Sequence, residues 1–324
     1  MSKKVWLLLD NRMGSVGQAR GVAQAMDKNI FEIEEKSISY NGFARLPNWL
    51  KGVSLIGVAE NSRKEIKPPF PDVVISASRR TAPIARYIKR KSKGETKIIQ
   101  LLHPGNSGLG DFDLLFLPEH DKDKKSTLRT IYTKGSPHRV TEVSLTEARE
   151  KWTKVFKDLP RPLTALIIGG SIGGKEFSME NAKKLAQEVK AFKNKIGGSL
   201  LTTNSKRTGK EPEKVIMSEI KNIPSYDYLW GNKGDNPYLG FLACADNIIV
   251  TGDSVSMCSE ACGTGKPVFI FSGENWLTPK HYRFIQSLFD GGYATKLSSE
   301  NSNFKSSGKL NPANEVAEKI KELF

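Results

Sequence analysis

Short apolar runs alternate with helix-patterned stretches along this chain, and the alternation occurs twice. Val5–Leu9, Val73–Ser76, Lys97–Leu102 and Leu114–Leu117 form the first series of runs. Leu163–Ile168, Gly198–Thr203, Tyr226–Trp230, Asn247–Val250 and Pro267–Phe271 form the second. Runs that are apolar on both faces mark parallel strands covered by helices on each side. Helices are expected between them at 19–26, 81–91, 178–194, 211–221, 254–263 and 280–289. The pattern predicts an α/β chain with two Rossmann-like parallel-sheet domains. In open parallel sheets, ligands bind beyond the C-terminal ends of the strands, so the residues just after each strand matter most.

The first domain is expected at 1–145 and the second at 163–297. A helix over Thr146–Lys157 and the break at Leu159-Pro-Arg-Pro162 make 146–162 a connector. The remainder, 298–324, reads as a Ser-, Asn- and Gly-rich loop followed by an amphipathic helix, Glu315–Phe324. That helix is expected to pack back toward the first domain.

Composition narrows the function classes. The 324 residues carry 50 basic against 35 acidic side chains, a net charge of +15. Such an excess suits nucleic acid, anionic lipid headgroups or phosphorylated ligands. No zinc finger, RNP aromatic signature or arginine-rich tract is present, and the lysines are spread along helices, so specific nucleic-acid binding is not expected. Cys244, Cys258 and Cys262 cannot pair off evenly and read as buried thiols, and the four scattered histidines give no metal site. No apolar stretch reaches the roughly 18 residues of a membrane span. Val5–Leu9 is too short for a signal core. A cytoplasmic protein is expected, either free or peripheral on the inner face of a membrane. Oligomeric state is left open.

Two glycine-bearing segments follow strands. Gly169-Gly170-Ser171-Ile172-Gly173-Gly174 comes directly after Leu163–Ile168. Glycines let backbone amides approach a ligand, and a following helix N-terminus favours negative charge, so a diphosphate is its natural occupant; a tight turn is the alternative. Gly14–Gln18, with Gly14 and Gly17, is the corresponding segment after the first strand. Other strand ends add polar groups: Ser205 and Arg207, Asp253 and Ser254, and then Glu260 off the apolar stripe of its helix. A carboxylate such as Glu260 can accept two hydrogen bonds from a ribose diol, or lie solvated on the helix surface. Arg79 and Arg80 begin a helix, where the dipole disfavours cations, and an anionic partner would explain them. His103 is the best-placed titratable base of the first domain, with Asp10 second. His120 and His138 are read as structural. The apolar stretch Phe43–Val58, broken by Arg45 and Lys51, suits either a monotopic membrane contact or packing between domains. No Gly-x-Gly-x-x-Gly follows the first strand, which argues against a Rossmann-type sugar-nucleotide epimerase.

Ile167–Gly174 together with Ser259–Pro267 resembles the donor-binding half of GT-B glycosyltransferases, particularly the enzyme that adds N-acetylglucosamine to the peptidoglycan lipid precursor. The resemblance implies two domains facing across a cleft. It also implies that Ser171 and its flanking glycines bind a diphosphate and that Glu260 binds the ribose. It places Lys280, His281 and Tyr282 near the donor sugar, although the paired glutamines of that family are absent here. Gln18 stands where the lipid-precursor enzyme carries a histidine, and Gln cannot act as a general base. A longer set of motifs is similar to the ELM mitochondrial-fission family. It runs through Trp6–Asp10, Gly14, Gly17-Gln18, Gly21, Pro71–Ser76, Arg79-Arg80, His103-Pro104, Pro118, His120-Asp121, His138–Val140, Thr202-Thr203, Ser205, Arg207-Thr208 and Asp253–Met257.

Two functions follow as expectations. One is a metal-independent, inverting transfer from a nucleoside-diphosphate sugar, without cofactor, to an acceptor that is lipid-linked. Here Ser171 and Glu260 hold the donor, and His103 or Asp10 is the base. The other is a non-catalytic GT-B-like protein that binds or recruits partners at an anionic membrane surface.

Overall fold

A computed structural model describes residues 2–324 and divides them into two compact units, 1–139 with 311–324, and 140–310. The first unit contains β1 (Lys3–Leu9), α1 (Met13–Ala25), β2 (Phe31–Ser37), α2 (Asn48–Lys51), α3 (Glu60–Glu65) and β3 (Val73–Ser76). It continues with α4 (Ala82–Lys91), β4 (Lys97–Leu101), β5 (Leu114–Pro118) and β6 (Thr130–Thr133). The second unit contains α5 (Glu142–Trp152), β7 (Leu163–Ile168), α6 (Met179–Ile196), β8 (Ser199–Asn204), α7 (Lys210–Ile220) and β9 (Ser225–Tyr228). It ends with α8 (Tyr238–Cys244), β10 (Asn247–Thr251), α9 (Val255–Gly263), β11 (Val268–Phe271), α10 (Pro279–Asp290) and β12 (Thr295–Lys296). The last helix, α11 (Pro312–Lys321), belongs to the first unit.

The first sheet has the order β2-β1-β3-β4-β5-β6 and the second β12-β11-β10-β7-β8-β9. The paired strands run parallel. Strand alternation splits the first core in two. Val5, Leu7 and Leu9 of β1 pack with Val16, Ala19 and Val22 of α1 and with Val316 and Ile320 of α11. Trp6 and Leu8 point the other way, into a cluster with Ile84, Ala85 and Ile88 of α4. A chain apolar on both strand faces can bury itself only in such a three-layer arrangement. Each fully buried aliphatic side chain contributes about 1.5–3 kcal/mol to it.

The segment 146–162, expected to connect the domains, is part of the second unit. Trp152 and Phe156 are buried there, and Phe156 meets Tyr226 and Phe241. Apolar side chains outweigh the Pro-rich break that suggested a linker. The same holds for 298–310, where Phe304 packs on that core and Leu310 is buried in it. The thiols of Cys244, Cys258 and Cys262 are free and buried. No helix among the described residues is long and apolar enough to cross a membrane.

Candidate functional site

The end of β7 meets the ends of β8, β10 and β11, and the chain uses much of its glycine loop to make that junction. The Gly169 amide donates to Thr251 Oγ1 at 2.6 Å, and the Gly170 amide to Asp253 Oδ2 at 2.9 Å. The Ser171 amide donates to the Arg207 carbonyl at 2.9 Å. A Cβ on Gly169 would overlap the Asp253 carboxylate, and one on Gly170 would overlap the Arg207 backbone. These glycines therefore exist for close approach of the protein's own chain. Helix α6 starts at Met179, within a residue of the expected 178 and well past the glycines, and the Ser178 hydroxyl caps it by accepting from the Asn181 amide at 3.1 Å. Gly173 and Gly174 lie outside this junction. They form the turn of a tight hairpin in which Ile172 and Lys175 exchange both backbone hydrogen bonds. Both glycines are left-handed, with φ of 60° and 79°, and their amides have no partner among the described residues.

Asp253 is the hub of the junction. Its carboxylate accepts from Thr251 Oγ1 at 2.7 Å, from the Gly170 amide and from the Arg207 guanidinium at 2.9 Å. Burial raises its pKa, and these donors oppose the rise. Arg207 also donates to the Ser171 carbonyl at 3.0 Å. It is half exposed, and two contacts do not exhaust its donors. Ser205 is structural: its hydroxyl donates to the Gly169 carbonyl at 3.0 Å and accepts from the Arg207 amide. Thr208 bonds the same Gly169 carbonyl. Ser171 Oγ accepts from the Phe177 amide at 3.0 Å. Ser254 caps α9 by accepting from the Met257 amide. His281 is buried and shares a 2.7 Å hydrogen bond between Nδ1 and Thr278 Oγ1. Burial, then Lys280 and Arg207, push its pKa below the ordinary 6.5, against a hydrogen bond with the Asp253 backbone.

Glu260 is not simply solvated. Its Oε2 accepts a 2.5 Å hydrogen bond from the Tyr238 hydroxyl. Burial and the Glu260 charge hold that phenol well above its usual pKa, so Tyr238 stays a donor. Beyond β8 and β9 lies a cavity of about 330 Å³, lined by Asn204, Tyr228, Trp230 and Asn236 among others. Trp230 is 64% exposed, and its amide donates to Asn204 Oδ1 at 2.6 Å. The sequence reading placed Trp230 at the end of an apolar run and gave it no role. Strand β9 in fact stops at Tyr228, and an exposed indole just past a strand end was the signal to follow.

In the first unit, Gly14 and Gly17 lie within α1, not in a loop before it, because the helix already begins at Met13. A Cβ on either would meet nothing, whereas one on Gly21 would overlap the His138 backbone. Gln18 is buried, with its Oε1 unpartnered. His103 has both ring nitrogens occupied: Nδ1 accepts from the Gly105 amide at 3.2 Å and Nε2 donates to the Lys125 carbonyl at 3.0 Å. Asp10 is buried; Oδ1 accepts from the Arg12 amide at 2.9 Å, and Oδ2 has no partner. Arg79 and Arg80 occupy the turn before α4, a turn held by Ser78 and Thr81 through mutual side-chain and backbone bonds. No cluster of metal-ligating side chains occurs among the described residues.

The sequence model of the mitochondrial fission ELM1 family matches residues 13–324. An uncharacterized protein of Rickettsia prowazekii is 29% identical, over 98% of this chain and 97% of its own. The mitochondrial fission protein ELM1 of Arabidopsis thaliana is 30% identical over 73% of this chain and 59% of its own length. A UDP-N-acetylglucosamine–N-acetylmuramyl-(pentapeptide) pyrophosphoryl-undecaprenol N-acetylglucosamine transferase of Christiangramia forsetii is 27% identical over 75% of this chain and 64% of its own. The matches to these last two proteins thus span less than two thirds of their lengths. Among solved structures, UDP-GlcNAc 2-epimerase of Methanocaldococcus jannaschii superposes with a TM-score of 0.61 at 13% identity, covering 99% of each chain. The enzyme of Neisseria meningitidis, solved bound to UDP-GlcNAc, gives 0.55 at 13% identity, over 99% of this chain and 100% of that one. The fold is GT-B-like.

Proposed function

The chain belongs to the mitochondrial fission ELM1 family, and from that premise we propose that its second unit binds a nucleoside-diphosphate sugar. One observation carries the reading: donors left over after folding gather at the strand ends beside an aromatic-lined cavity. The Gly173 and Gly174 amides and the remaining N–H groups of Arg207 suit a diphosphate. The Trp230 cavity suits a base, which would stack on the indole. Asn204 lines that cavity one residue before the Ser205–Thr208 turn that holds Arg207, so base and phosphate subsites are contiguous along the chain. Glu260, positioned by Tyr238, accepts the ribose hydroxyls.

The reading extends to an inverting, metal-independent glycosyl transfer. The acceptor oxygen bonds to the sugar's anomeric carbon, the bond to the diphosphate breaks, and Arg207 with the turn amides takes up the leaving charge. The base for the acceptor proton is better sought at Asp10, which has a free oxygen, than at His103, whose ring is fully engaged. A second reading, a binding protein at a membrane, is favoured by the exposure of Phe43, Trp49, Leu50 and Ile56 in one segment.

Calorimetry with uridine, guanosine, adenosine and thymidine diphosphates and their sugars tests the donor site. At least one should bind. Glu260→Gln, which preserves an acceptor for Tyr238, should weaken that nucleotide by about 1.5–3 kcal/mol, the worth of hydrogen bonds to a charged group. No binding at millimolar ligand would remove the donor reading and leave the membrane reading in first place.

A further inference from the structure

The first unit holds a cavity of about 340 Å³ whose charged lining is entirely cationic: Arg12, Arg45, Lys51, Arg79 and Arg80, with Asn48 beside them. Lys51 is the telling member. It is 5% exposed, and its ammonium has a single partner among the described residues, the Ala44 carbonyl at 3.3 Å. Burial, then Arg79 and Arg80, draw its pKa down. The guanidinium groups of Arg45 and Arg79 have no hydrogen-bonding or ion-pair partner among the described residues. Arg80 reaches only the neutral Asn11 Oδ1, at 3.2 Å, and the Tyr40 ring. Asp10 is outside the lining and turns Oδ1 onto the Arg12 amide.

Arg12, Arg45 and Arg79 are exposed and Arg80 is half-buried, yet all four line the same cavity as the buried Lys51. Like charges converging on one cavity raise the energy of the unit unless an anion occupies it. Arginine forks match phosphate oxygens two at a time. Five cations call for a ligand with more than one negative charge.

The same segment identifies where that phosphate comes from. Helix α2 spans Asn48–Lys51, and its residues 48 and 51, one turn apart, are buried toward the cavity. Asn48 anchors the helix by donating from Nδ2 to the Arg79 and Pro104 carbonyls, both at 2.8 Å. The residues between them, Trp49 and Leu50, are exposed, Trp49 by 70%. Phe43 and Ile56, nearby in sequence, are exposed as well. A short helix thus offers one buried lysine beside Asn48 on its inner side and a bulky apolar pair on its outer side. We propose that this cavity binds the phosphate headgroup of a lipid, with Trp49 and Leu50 entering the interface around it. The inference rests on the membrane reading above and names its headgroup chemistry.

Vesicle co-sedimentation with the full chain tests it, using phosphatidylcholine alone, phosphatidylcholine with phosphatidic acid, and phosphatidylcholine with phosphatidylserine. Calorimetry with inorganic pyrophosphate is run alongside. Phosphatidic acid, with its terminal phosphate, should be preferred over phosphatidylserine by about tenfold or more. Arg79→Gln with Arg80→Gln should abolish that preference and the pyrophosphate binding that persists in an Arg207→Gln background, with no further change in the unfolding temperature. Trp49→Ser with Leu50→Ser should weaken binding to every vesicle by about tenfold or more and leave pyrophosphate binding intact. Equal binding to both acidic vesicles, unaffected by the arginine pair, would overturn the cavity assignment while the membrane reading stood. Pyrophosphate binding that needs the arginines, without any vesicle binding, would overturn the lipid source and the membrane reading together. Absence of both would end the inference.

Discussion

The two units bury cations in opposite ways. In the second, Lys193 is only 4% exposed, yet its ammonium donates to the Pro162 carbonyl, Thr164 Oγ1 and the Ser199 carbonyl at 3.2–3.3 Å. Lys266 likewise donates to the carbonyls of Leu242, Ala243 and Ala245 at 2.6–2.7 Å, closing the end of α8. Burial pushes both down to about 8, and both have used their donors on the fold. Lys51 in the first unit has one carbonyl and two arginines for neighbours. A buried charge whose bonds are complete is part of the architecture; one with donors to spare is waiting for a ligand. The same distinction separates Gly169 and Gly170, whose amides are consumed, from Gly173 and Gly174, whose amides are not.

The sharpest test of a completed junction is Asp253. Asp253→Ala removes the acceptor for Gly170, Thr251 and Arg207 at once and strands a partly buried guanidinium. The expected loss is about 3–5 kcal/mol, as for breaking one side of a buried pair. Chemical denaturation measures it. A loss below about 1 kcal/mol, the range of surface pairs, would mean that the hub does not hold the strand ends together.

A second experiment compares the lysines directly. Lys193→Met removes the donor shared by Thr164 Oγ1 and the Pro162 and Ser199 carbonyls and should destabilise by about 2–3 kcal/mol. Lys51→Met removes a charge that the fold does not compensate, and should change stability by less than about 1 kcal/mol or raise it. Equal losses would erase the contrast between the units.

What the sequence disclosed follows the same physics. The central strands were legible because both of their faces are apolar: Val73–Ser76 and Leu163–Ile168 were placed to the residue. The edge strands of the first sheet were not. Phe31–Ser37 mixes apolar residues with Glu and Lys, because one side of it meets solvent, and Thr130–Thr133 is only four residues long with two threonines. At the site, Gly169–Ser171 carried a phosphate-loop pattern, yet its amides are spent on Thr251, Asp253 and Arg207. Sequence spacing reports that backbone must come close to something and not what that something is. The bond from Tyr238 to Glu260 crosses 22 positions, and no local pattern encodes it. Lys51 was read only as a basic interruption of an apolar stretch; its missing partners appear only once the chain is folded.

The smallest effect expected concerns His281. Burial, Lys280 and Arg207 place its folded pKa below 6.5, so the native state favours the neutral ring more than the unfolded chain does. Between the folded value and 6.5 the unfolded state binds more protons, and stability therefore rises with pH across that window. The contribution is complete above 6.5 and is lost as the medium is acidified toward the folded value. His281→Gln keeps a group able to bond Thr278 and removes the titration. Its melting temperature should trail that of the natural chain at about pH 7.5 by more than at about pH 5.5. The same protonation sets a limit on the proposed donor site. A neutral His281 brings no charge to a diphosphate, so Arg207 must carry the electrostatic part alone. A stability gap that ignores pH would show that folding does not shift the ring's pKa, and burial would then have no hold on its protonation.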